Sequence, residues 1–169
     1  KATGLTAGVA VVATSNDKAV EGLGTGCMGD STVCISLGTY TSAMMEGKEN
    51  LKGTSYAWPK FSCMPNKYLY DSNGIRRGMW TVSWYRDILG EGYAKLAEEK
   101  GMSPEEALGL EAEKVSVGSD GLMTVLNWLA NVDARYQKGI MIGFDGRHTR
   151  GHIYRSILEA VAMTMKGHV

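Results

Sequence analysis

Gly8-Val9-Ala10-Val11-Val12-Ala13-Thr14, followed at once by Ser15-Asn16-Asp17, is the stretch that decides the fold class. A short apolar, β-branched run without polar alternation is expected of a strand buried on both faces. The polar triplet behind it suits the close of a strand and the cap of a helix. Lys18 to Leu23 then offer about two helical turns before Gly24 and Gly26 stop them. A strand-turn-helix unit results, with Asp17 at the turn.

Working outward, Thr32 to Ser36 reads as a strand, Gly38-Thr39 as a turn and Tyr40 to Met45 as a returning strand, an antiparallel hairpin by its short connection. Tyr56 to Tyr70 is expected to hold one or two further short strands, giving a mixed sheet. Between Arg77 and Leu89 the residues Met79, Trp80, Trp84, Ile88 and Leu89 recur at helical spacing, which places Trp80 and Trp84 in the core. Glu91 to Glu99 continues helically. Ser103-Pro104-Glu105-Glu106 opens another helix with a capping box, and the carboxylates between Glu98 and Glu113 read as a solvated face. Leu122 to Leu129 and Gly139 to Phe144 are candidate strands. Thr149 to Lys166 carries Ile153, Ile157, Leu158, Val161 and Met165 on one helical stripe.

With 169 residues there is room for about one domain. Eighteen basic and 18 acidic side chains cancel, which argues against nucleic acid or an anionic membrane surface as partner. A hydrophobic content of 44% excludes a charge-driven disordered chain. The longest near-apolar stretch, Ala7 to Thr14, falls far short of the ~20 residues that span a bilayer, and no basic-then-apolar segment opens the chain. A soluble, cytoplasmic location is the expectation. Cys27, Cys34 and Cys63 are irregularly spaced and read as reduced thiols. His148 and His152 are four apart and share a helix face on that spacing, but no third ligand stands beside them, so no metal site is expected.

Three arrangements point toward phosphoryl chemistry. Asp17 lies just past a strand, at the edge where open α/β sheets bind ligands; it serves either as a helix cap or as a base that reaches a hydroxyl. Ser36-Leu37-Gly38-Thr39-Tyr40-Thr41 is either an ordinary hairpin turn or an anion cradle built from amides and the Thr39 hydroxyl. Gly22-Leu23-Gly24-Thr25-Gly26 follows a helix instead of preceding one, so it terminates the helix and is no dinucleotide fingerprint.

In order, Thr3-Gly4-Leu5, Gly8 to Ala13, Asn16-Asp17-Lys18-Ala19, Gly22 to Gly26, Ser36-Leu37-Gly38-Thr39 and Trp84-Tyr85-Arg86-Asp87 resemble the second half of FGGY carbohydrate kinases. Lys138 to Phe144, His148-Thr149-Arg150 and Arg155 to Ala162 resemble that family's late strand and following helix. The resemblance implies a ribonuclease-H-like, actin-like α/β domain, a mixed sheet flanked by helices and incomplete at its C-terminal end. Residues 1–169 are then part of the carboxy-terminal ATP-binding domain of a two-domain sugar kinase. By the same resemblance Asp17 is the catalytic base, and Asp17 and Lys18 meet the sugar or polyol. Gly38 and Thr39 approach the γ-phosphate of ATP, Gly78 and Ser83 lie on the nucleotide side, and Mg²⁺ screens the phosphates.

The resemblance departs at Asn16-Asp17-Lys18, where many members have Gly-Asp-Gln. It departs again at Asn131 to Gln137, which replace an acidic, proline-containing stretch. The family's amino-terminal lobe is the partner this piece lacks, and without it the isolated chain is expected to be inactive; a homodimer stays open. The competing expectation is a non-enzymatic actin-like nucleotide-binding module, which shares the Gly-Thr turn but needs no acid facing a sugar. A plain structural α/β module, with Asp17 only a cap, is the third.

Overall fold

A computed structural model describes residues 4–10, 15–29, 31–52 and 57–169. The first helix, α1 (Asp17–Gly24), starts where the polar triplet predicts, but its cap is Asn16, whose side chain accepts a hydrogen bond from the Ala19 amide at 3.1 Å. Asp17 is the first helical residue. The reading of Asp17 as the cap is thereby corrected, because the cap position holds the extended backbone found at Asn16. Upstream, residues 8–10 are exposed and carry no regular structure, with Val9 53% exposed. No described strand lies beside them to take their backbone groups. Residues 11–14 of the expected strand lie outside the described residues.

Four strands form the main sheet in the order β1-β2-β4-β3: β1 (Cys34–Leu37), β2 (Thr41–Gly47), β3 (Ala57–Phe61) and β4 (Tyr68–Ser72). The β1–β2 hairpin pairs Leu37 with Thr41, leaving Gly38, Thr39 and Tyr40 in the turn. Where a mixed sheet is expected, every pairing among the described residues is antiparallel. The register sets Cys34, Met44, Asp71 and Trp58 in one row across all four strands, so their side chains share a face. α1 covers part of that face: Ala19 packs with Met44 and Leu69.

The remaining helices are α2 (Gly78–Ile88), α3 (Gly90–Glu98), α4 (Pro104–Ala112) and α5 (Arg150–Lys166). They meet in the largest core, built from Val82, Tyr85, Tyr93, Leu108, Ala112, Tyr154 and Ile157. The stripe expected on α2 is rotated. Gly78, Thr81, Val82 and Tyr85 face inward, while Ile88 is 58% exposed. Trp80 lies under the Arg77 guanidinium at 4.2 Å, and Trp84 packs edge-on against Trp128 at 4.9 Å. Trp84 also packs against the core's edge with Met79 and Leu89, as its spacing predicts; Trp80 does not, because a ring satisfied by a cation needs no core position.

The α4 capping box forms as read. Two carboxylates expected on a solvated face instead tie helices together, Glu105 to Arg86 at 2.6 Å and Glu111 to Arg150 at 2.7 Å. Along α5, Ile157, Val161 and Met165 are buried, with Ile153 and Leu158 at the core's edge. His148 precedes α5, so it shares no helix face with His152, which belongs to the cap around Thr149. A second, two-stranded sheet, β5 (Met123–Val125) with β6 (Ile140–Ile142), packs through β5 on α5. No helix among the described residues is long and apolar enough to cross a membrane.

Candidate active site

The Gly38–Thr39 turn is built into the start of α2. The Gly78 amide donates to the Thr39 carbonyl at 2.8 Å, and the Met79 amide donates to the Gly38 carbonyl at 3.2 Å. These bonds satisfy two of the amides that a helix N-terminus leaves without intrahelical partners. Thr41 donates its hydroxyl to the same Gly38 carbonyl at 3.1 Å and exchanges two backbone bonds with Ile75. With its carbonyls turned inward, the turn leaves Gly38 and Thr39 exposed. The Thr39 side chain enters no hydrogen bond among the described residues. Gly78 is buried behind the turn, and Ser83, half-buried, follows about 140° around the helix.

Asp17 is exposed at the first turn of α1, where one carboxylate oxygen accepts from the Lys18 amide at 2.8 Å. Lys18 reaches across the sheet. Its ammonium donates to the Ser36 hydroxyl at 2.6 Å and pairs with Glu21 at 3.4 Å. Ser36 lies two residues before Gly38, so the Lys18–Ser36 bond fastens the start of α1 to the end of β1 that runs into the turn.

Asp17, Lys18 and Tyr40 line one open cavity of about 750 Å³. Its opposite side is Trp58 and Lys60 of β3 with Asp71 of β4, and its rim is Asn73, Arg76 and residues 131–134. Tyr40 is fixed by accepting from the Gly74 amide at 2.9 Å and donating to the Ser72 carbonyl at 3.3 Å. Lys60 pairs with Asp71 at 2.6 Å. Arg76 donates to the Ala130 carbonyl at 2.5 Å, which draws the following loop to the cavity. Of the sequence candidates, Asp17 and Lys18 line this cavity; Gly38 and Thr39 adjoin it through Tyr40, and Gly78 backs the turn.

Trp58, Lys60 and Asp71 were not singled out by their sequence. The alternation of Trp58 and Lys60 does put both on one face of a strand. Nothing local, however, states that Asp71 stands opposite Trp58, because strand register is a long-range property.

No family model matches the chain. It is 51% identical over 165 residues to the "Uncharacterized sugar kinase YgcE" of Escherichia coli (strain K12), covering 98% of this chain and 34% of that protein. Among solved structures it is similar to a xylulose kinase from Rhodospirillum rubrum, with a TM-score of 0.79 and 25% identity over 98% of this chain and 32% of the other. A Plasmodium falciparum glycerol kinase solved with ADP shares the fold, with a TM-score of 0.64 and 20% identity over 88% of this chain and 28% of the other. The chain thus spans about a third of the length of the relatives it matches.

Proposed function

The chain belongs to the FGGY family of carbohydrate kinases, and from that premise we propose that Asp17 is the base in ATP-dependent phosphorylation of a sugar or polyol hydroxyl by the full-length protein. The observation that carries the reading is the exposed Asp17 carboxylate on the wall of a cavity that Tyr40, beside the Gly-Thr turn, also lines. A carboxylate so placed accepts the hydroxyl proton as the oxygen attacks the γ-phosphorus and the bond to the ADP oxygen breaks. Asp17 then releases the proton to solvent.

The turn suits a polyphosphate. Gly38 and Thr39 spend their carbonyls on α2 and present an exposed, side-chain-poor surface with one hydroxyl. Gly78 holds that turn in place, and Ser83 belongs to the same nucleotide side. Mg²⁺ bound with the nucleotide screens the phosphate charge. Lys18, shared between Ser36 and Glu21, orients the helix start beside the acceptor. The architecture, strands flanked by helices, is read as the ribonuclease-H-like, actin-like domain of the family. Residues 1–169 are then part of the carboxy-terminal ATP-binding domain of a cytoplasmic two-lobed enzyme.

The test uses the full-length protein with ATP and a panel of ketoses and polyols. Asp17→Asn is expected to lower kcat about 100- to 10,000-fold while nucleotide binding persists. Unchanged turnover would remove Asp17 from the mechanism, whereas nucleotide binding by the wild type without transfer to any acceptor would favour a nucleotide-binding module without phosphoryl transfer.

A further inference from the structure

The exit of α1 holds two cysteines to which phosphoryl transfer gives no role. Cys27 is 4% exposed, and its sulfur lies 3.4 Å from the Thr32 carbonyl and 3.8 Å from the Met44 carbonyl. Met44 is the strand partner of Cys34 in the β1–β2 hairpin, and paired positions in such a ladder are close neighbours. Cys34 is half-buried, and its sulfur lies 3.5 Å from the hydroxyl of Thr25, just before Cys27 in the chain. Each sulfur therefore rests against the other cysteine's surroundings. Burial first, and Cys34 after it, push the Cys27 thiol up, against the pull of a hydrogen bond from the Cys34 amide. Cys63, in the connection between β3 and β4, packs on the same Ala19, Met44 and Leu69 cluster and serves as an internal control.

We infer that Cys27 and Cys34 are a modification site, joined by a reversible disulfide when the protein meets a hydroperoxide. This goes beyond the kinase reading and does not depend on it. Exposure divides the work between the thiols. Cys34 is the one a peroxide reaches. Its sulfur attacks a peroxide oxygen, an S–O bond forms, the O–O bond breaks and water leaves, giving a sulfenic acid. Cys27, buried beside it, is the resolving thiol. The Cys27 sulfur attacks the Cys34 sulfur, the S–S bond forms, the S–O bond breaks and a second water carries the oxygen away. Both thiols are oxidised to one disulfide, and hydrogen peroxide is reduced to water. A dithiol reverses the change by exchange.

The bond's position gives it a consequence. Lys18 joins the start of α1 to Ser36 near the end of β1. The disulfide joins the exit of α1 to Cys34, the first residue of β1. With both ends fastened, the helix that carries Asp17 opens less often.

The experiment exposes the natively folded full-length protein to hydrogen peroxide, blocks the remaining thiols by alkylation and maps the peptides by mass spectrometry. Wild type, Cys34→Ser and Cys63→Ser are compared; circular dichroism checks the variants, and the wild-type map decides even if a variant misfolds. Wild type and Cys63→Ser are expected to lose the free thiols of Cys27 and Cys34 together. They should yield a peptide pair linked through those residues, which dithiothreitol separates. Cys34→Ser is expected to keep Cys27 reduced. Amide hydrogen exchange across α1 should slow in the linked form and recover on reduction. The inference is overturned if Cys27 and Cys34 stay free at a peroxide dose that oxidises Met163, which is 66% exposed. A link through Cys63 in their place, or unchanged exchange in linked α1, overturns it equally. None of these readouts uses acceptor turnover, so they stand or fall apart from the kinase reading.

Discussion

At Gly78 a single added methyl group has no space. A Cβ there would lie 2.0 Å from the Thr41 hydroxyl and 2.6 Å from its Cβ, and Thr41 is fully buried. Gly78→Ala must therefore push the β1–β2 hairpin away from α2, and overpacking of this kind costs about 1 to 3 kcal/mol. The midpoint of denaturant unfolding should fall accordingly; an unchanged midpoint would show that the hairpin gives way freely. Asp17 illustrates the opposite case, in which sequence reasoning reached the residue but not its local duty. The cap went to Asn16, one position earlier. Both residue types cap well, and only the backbone angles separate them.

Helix α4 shows what was legible at the scale of an element. Ser103, Pro104 and Glu106 satisfy one another within four residues, so no distant contact is needed to predict them. Ser103→Ala should cost about 1 kcal/mol of stability, measured by chemical denaturation near neutral pH. The Ser103 amide and hydroxyl hold the Glu106 carboxyl below its ordinary range. A group lowered in the folded state supports it fully above the ordinary carboxylate range and loses that support as pH falls through its lowered midpoint. The gap between wild type and Ser103→Ala should hence narrow in acid, and a gap constant down to the acid limit would contradict the capping account. Helix α2 was less legible. Its apolar residues were visible, but the inward stripe depends on what α5 and the hairpin offer, and Trp80 found a cation instead.

Across the whole molecule, the β1–β2 hairpin followed from its short connection. The wall opposite did not. β3 and β4 meet through pairing whose register no local pattern states, and residues 8–10 read as part of a buried strand yet lie exposed. The cavity beside Asp17 is open, whereas in-line phosphoryl transfer needs both reactants enclosed and water kept out. The 169 residues alone, given ATP and the same neutral acceptors, should produce no acceptor-dependent ADP; release above the no-acceptor rate would show that a second lobe is dispensable.

The bonds from Gly38 and Thr39 to the head of α2 carry one more implication. Because Thr41 also exchanges two bonds with Ile75, and Tyr85 further along α2 donates to the Arg150 carbonyl at the start of α5, the hairpin tip cannot travel alone. A pull on that tip is delivered as leverage on α2, and through Tyr85 it shifts the footing of the longest helix.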